Sequence, residues 1–360
     1  MIRFLVLLVS AMLAPVAAAS LDDIRLPPGF SIEVYADVPK ARSLALGDRG
    51  TLFVSTRKAR SVYAVVENED GSTRTIEILG GMSTPNGIAF HDGDLYVAEI
   101  DRVYRFRDAE DHLGSMPAGE LLDVDLPSDR SHGWRYIGFG PDNKLYIAIG
   151  APCNVCDKPG YAQIIRMNPD GSDRETYATG VRNSVGLAWH PETGELWFTD
   201  NGRDMMGDDI PPCELNHAPR RGLHFGFPYC HGGDIADPEY GAQRQCKSYT
   251  PPVQKLGPHV APLGLTFYTG SMFPPEFRGQ VFIAEHGSWN RSKKIGYRVT
   301  LVRLEGNRAV SYEPFAEGWL QNEQYSGRPV DVIVKDDGSL LVSDDYAGKV
   351  YRITYMGDSE

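Results

Sequence analysis

Polar side chains recur at one phase of this chain, just ahead of short apolar runs: Arg42, Asn86, His132 with Arg135, Arg182 with Asn183, and Arg328. Arginine suits planar carboxylates, which its guanidinium meets through two parallel hydrogen bonds. A neutral imidazole, with an ordinary pKa of about 6.5, can take a proton from a hydroxyl. Brought together, these groups would form an anion site with a base beside it. The other reading is that Arg42, Arg182 and Arg328 each pair with an Asp of a neighbouring repeat, because a buried cation without a partner is costly.

The apolar runs that must position them come in six similar units, at 44–55, 87–98, 137–148, 186–199, 264–284 and 331–343. In five of them two Val/Ile/Leu/Phe-rich runs flank a Gly- or Asp-rich turn such as Asp92-Gly93 or Asp142-Asn143. Such units read as hairpins. Third and fourth strands follow several of them, as at 62–66 with 75–79 and 299–304 with 310–315. Four strands per repeat is the blade of a propeller. A sandwich would not explain why the units look alike. The expectation is therefore an all-β fold, a six-bladed β-propeller of four-stranded antiparallel blades. In an antiparallel hairpin the start of the first strand and the end of the second share one end. Arg182 and Asn183 should then lie beside Asp200-Asn201-Gly202-Arg203, Arg328 beside Asp344 and Asp345, and His132 beside Gly150 and Ala151. All would face one mouth of the central channel.

Composition sets the class. The chain has 360 residues, is 42% hydrophobic and carries a net charge of -12, which argues against nucleic acid or anionic membrane as a partner. Residues 1–19 read as a signal peptide, with Arg3 ahead of an apolar stretch and Ala17-Ala18-Ala19 before the cut. Residues 20–360 follow as a single propeller domain without a membrane span, periplasmic or secreted. Disulfides fit that compartment. Cys230 with Cys246 is the preferred bridge, Cys153 and Cys156 could close a tight local one, and Cys213 is left over. Asp157 stands where a c-type haem motif needs His, so electrons would leave to a separate acceptor.

Longer motifs carry a resemblance. Gly180-Val-Arg-Asn-Ser-Val-Gly-Leu-Ala-Trp189 is followed by Gly194-Glu-Leu-Trp-Phe-Thr-Asp-Asn-Gly202. Ser131-His-Gly-Trp-Arg135, Ala284-Glu-His-Gly-Ser-Trp-Asn290 and Gly327-Arg-Pro-Val-Asp-Val332 complete the set. Together they resemble the soluble quinoprotein sugar dehydrogenases, the pyrroloquinoline quinone (PQQ) dependent glucose, aldose-sugar and sorbosone group. The resemblance implies a six-bladed propeller, PQQ and calcium as cofactors, and oxidation of a small-molecule sugar or a related polyol or aldehyde. It places His132 on the catalytic base, Arg182 beside the quinone oxygen, and Asn183 and Arg328 on cofactor contacts. Gly202 and Arg203 fall on two residues whose carbonyls hold calcium. Arg42 is a cofactor candidate through blade symmetry alone; Arg298 or Lys294 could stand for the family's Lys. Departures fall at Ala151, where the family has an Asp supporting the base, and at Val330 and Val185, which replace an Arg and a Gln; these suggest a sorbosone- or pyranose-type branch. Trp134, Trp289 and Tyr325 could stack on a sugar ring. The competing readings are a calcium-dependent lactonase-like hydrolase and a non-catalytic binding propeller.

Overall fold

A computed structural model describes residues 21–357; the expected signal peptide lies outside the described residues. Six four-stranded antiparallel sheets stand around one axis. The first four blades begin with Ala41–Leu46, Gly87–His91, Ile137–Phe139 and Leu187–Trp189, and the last two with Pro262–Phe267 and Pro329–Val334. These innermost strands contact one another all the way round, the first blade's against the sixth's. Each of the six hairpins read from the sequence forms the first two strands of a blade. The sixth blade takes its outer strand from the opposite end of the chain: Phe30–Asp37 pairs with Lys349–Tyr355 and closes the ring. A short strand at Leu223–His224 adds in parallel to the third blade's outer strand, Glu175–Thr179.

The second strand of every blade is buried along its whole length. Alternation explains why both its faces are apolar, since successive side chains point to opposite neighbours. Tyr146 and Ala148 pack toward the fourth blade, while Leu145, Ile147 and Ile149 pack toward the second. Leu196 and Phe198 face the third blade and Trp197 the fifth. Six apolar clusters result, one in each interface between neighbouring blades.

Near the axis polar bonds take over. Ser55, Thr199 and Ser343, late in second strands, each donate a hydroxyl hydrogen bond to the first residues of the next blade, at the carbonyls of Asn86 (2.5 Å), Leu263 (2.6 Å) and Arg42 (2.5 Å). Gly264 is required by this crowding, because a Cβ there would meet Asp331 Oδ1 at 1.8 Å. Among the described residues no helix is long and apolar enough to cross a membrane. Both expected disulfides are present, Cys153–Cys156 and Cys230–Cys246, and Cys213 is free and buried.

Candidate active site

A cavity of about 300 Å³ opens at one mouth of the channel, lined among others by Arg42, Arg57, His132, Arg182, Asn183 and Arg328. Gly202, Trp134, Trp289 and His286 share its wall, with Asp204 as the one acidic side chain there. Residues from five blades thus meet at one place; Asn86 of the second instead bonds Arg42 and the Arg135 carbonyl, and the Arg135 side chain turns to the carbonyls of Ile100 and Pro127.

Carboxylates at the ends of second strands hold these segments by their main chains. Asp200 accepts the Arg182 N–H at 2.7 Å and the Asn183 N–H at 2.6 Å. Asp344 does the same for the Arg328 N–H at 2.9 Å, and Glu99 for Ser83 in the second blade. Burial pushes the Asp200 carboxyl well above its usual range, with buried Glu214 opposite it adding to the effect. Asp200 is therefore a main-chain anchor here, while Asp208 and Asp209 bond to Ser292 and Arg291 in an outer loop.

The arginines divide into two classes. Arg42 gives Nε to Asn86 and Nη1 to Asp345 at 3.0 Å. Arg182 is held by the Asn154 carbonyl and side chain, the Asn201 carbonyl and Asp204 at 3.2 Å. Arg42 thus has an acidic partner on the neighbouring sixth blade, as the alternative reading required, whereas the partner of Arg182 follows the second strand of its own blade. Arg328 instead donates to the carbonyls of His286 and Gly287, both at 3.0 Å, and lies over the rings of Tyr297 and Tyr325. Arg57 stacks on Trp134 with its Cζ 4.5 Å from the ring centre. Neither makes an ion pair among the described residues. Burial, with Arg42 and Arg328 nearby, pushes the Arg57 pKa down to about 10, although Asp345 opposes this.

His132 donates Nδ1–H to the Ala151 carbonyl at 2.7 Å, which leaves the Nε2 lone pair free. The main chain thus orients this ring although the family's supporting Asp is absent. Desolvation, then Arg182, push the imidazole pKa down to about 4. It is neutral at ordinary pH. A second imidazole, His286, gives Nε2–H to Asp345 Oδ1 at 2.9 Å, so Asp345 ties it to Arg42.

Other sequence candidates stand elsewhere. Arg298 is off the cavity: it sits opposite Glu285 within the fifth blade and bonds it at 2.8 Å. Lys294 bonds the Glu323 carbonyl in an exposed loop. The Arg203 side chain turns to Asp237 and Glu239, away from the cavity. Val185 and Val330 are buried in one apolar cluster, which Val330 joins from the sixth blade's innermost strand. Arg57 and Asp204 were missed on sequence, while Asp345 stands at the mouth as expected but bonds Arg42 and His286.

With this geometry in hand, the profile of the TrAA12-like family matches residues 24–356. The chain belongs to the TrAA12-like family. This bears out the resemblance to soluble quinoprotein dehydrogenases. An uncharacterized protein of Borreliella burgdorferi is 34% identical over 351 residues, 92% of this chain and 91% of that protein. A pyrroloquinoline quinone-dependent pyranose dehydrogenase of Coprinopsis cinerea is 33% identical over 230 residues, spanning 49% of this chain and 31% of that enzyme. The calcium structure of the Trichoderma reesei family AA12 protein superposes with a TM-score of 0.81 at 19% identity, covering 93% of this chain and 97% of that one. The PQQ-bound aldose sugar dehydrogenase of Streptomyces coelicolor gives 0.67 at 20%, covering 92% and 99%. These two likenesses establish the fold of this TrAA12-like chain.

Proposed function

We propose that this TrAA12-like protein oxidises a sugar, or a related polyol or aldehyde, with PQQ and calcium, outside the cytoplasm, and passes electrons to a separate acceptor. The observation that carries the reading is the gathering of four arginines in one cavity, among which Arg328 has carbonyl and aromatic neighbours but no acidic partner among the described residues. Such a lining suits a carboxylated ligand, whereas a metal-held hydrolytic site would call for acidic and amide side chains.

The residues fit both groups. Arg328 and Arg42 would meet cofactor carboxylates, Asn183 its edge, and Arg182 the quinone oxygen. The Gly202 and Arg203 carbonyls accept no hydrogen bond from the described residues, which leaves them available to a hard cation. When bound, the quinone supplies a hydride acceptor and calcium a polarising charge. His132 takes the substrate hydroxyl proton at Nε2, its ring fixed by the Ala151 carbonyl. Arg182 holds a fixed positive charge beside that step. Trp289, exposed at the cavity wall, gives an apolar face on which a sugar ring can lie, whereas one face of Trp134 is covered by Arg57.

The test is reconstitution. Purified protein given calcium and PQQ should reduce a dye in the presence of an aldose, and none should be reduced without quinone. Dye reduction that ignores PQQ, or none with any sugar, polyol or aldehyde, would overturn the reading.

A further inference from the structure

One cation in the cavity is unaccounted for by the proposed cofactors. Arg42 and Arg182 already pair with Asp345 and Asp204. Three quinone carboxylates and one divalent ion leave a single net negative charge, which Arg328 can meet. Arg57 then remains. The acid that acts on it electrostatically is Asp345, which already bonds Arg42 and His286. A half-buried guanidinium kept without an anion is unfavourable unless a ligand completes it.

Its surroundings say what kind of ligand. Arg57 lies on Trp134, and the ring of His132 stands edge-on to the same indole, with centroids 6.0 Å apart. The two separations leave no more than the span of one sugar ring and two hydrogen bonds between the base and the guanidinium. The indole face carries the guanidinium, whose N–H groups bond no other described side chain and so remain for a carboxylate beside the base. We infer that Arg57 and Trp134 form a subsite for the carboxylate of an anionic sugar, so that sugar acids are preferred over neutral sugars. This rests on the sugar-oxidising reading and narrows its substrate class.

The experiment compares D-glucuronate with D-glucose on the PQQ- and calcium-loaded protein. Glucuronate should show a KM lower by roughly 10-fold or more, a margin that shrinks as salt is raised. Arg57→Met keeps an apolar stem on Trp134 and should remove the preference through KM rather than kcat; Arg57→Lys should restore part of it. Quinone affinity in the same variants, titrated by absorbance, should shift by less than about 3-fold. Equal KM values in the wild type would overturn the inference. So would an Arg57→Met variant that loses quinone about 10-fold while its sugar discrimination is unchanged, since Arg57 would then serve the cofactor. Failure to oxidise either sugar would count against the proposed activity instead. In that case calorimetry of glucuronate with the quinone-free protein still decides: binding lost in Arg57→Met supports the subsite, and binding that is absent or equal in both overturns it.

Discussion

His132 Nδ1 lies 2.7 Å from the carbonyl oxygen of Ala151, so a main-chain group fixes the tautomer of the imidazole facing the cavity. A carbonyl dipole orients the ring as a carboxylate would, but adds no full charge to stabilise the protonated form. The imidazole is set in place yet kept neutral.

Replacing His132 with Ala should lower turnover by about 10²- to 10⁴-fold, the usual contribution of a positioned base, and leave quinone uptake intact. Steady-state rates and a quinone titration on the same preparation check both halves.

The pH dependence should sit low. Because folded His132 has its pKa near about 4, its proton-accepting form persists until the pH falls through that value, well below the ordinary 6.5. The acid limb of kcat/KM is expected near pH 4. The same depression, shared by His286 at about 4, links to stability. The unfolded chain binds more protons between the two values, so stability is full above about 6.5 and declines as pH falls toward 4. Melting curves across that window measure it.

Asp200→Ala removes the acceptor for two buried N–H groups, those of Arg182 and Asn183. Each orphaned donor costs about 1–3 kcal/mol, so a substantial loss of stability should accompany weaker quinone binding. Denaturant unfolding and quinone titration of the variant test the pair of effects.

How much of this was legible follows from locality. Hairpins announce themselves within a dozen residues, so all six were read, and with them the shared end of Arg182 with Asp200 and of Arg328 with Asp344. Closure by Phe30–Asp37 was not, since its partner strand lies some three hundred residues away. Of the segments after second strands, the sequence reading reached those of the third, fourth and sixth blades only. Yet the same geometry puts Arg57 after Leu52–Thr56, His286 after Val281–Glu285 and Asp345 after Leu340–Asp344 at the same mouth. His286 stood in the sequence reading only within a longer motif, and Arg57 not at all. Arg298, one residue position earlier than its strand's interior, faces Glu285 across the ladder, a pairing that register decides and spacing does not.

Arg328→Ala should weaken quinone binding by roughly 10-fold or more, because a charge-assisted bond to a carboxylate is lost and no protein acid is left behind unpaired. Arg298→Ala, away from the cavity, should leave quinone affinity unchanged while destabilising the fold through unpaired, buried Glu285. Quinone titrations of the two variants, alongside unfolding curves, separate these outcomes.

The most direct measurement is an absorbance titration of the purified protein with PQQ in the presence of calcium. Saturation at one quinone per chain, weakened by added salt and by Arg328→Ala, is the expected result. Failure to saturate, or uptake that is indifferent to both, would contradict the claim that the cavity's arginines grip a carboxylated redox cofactor.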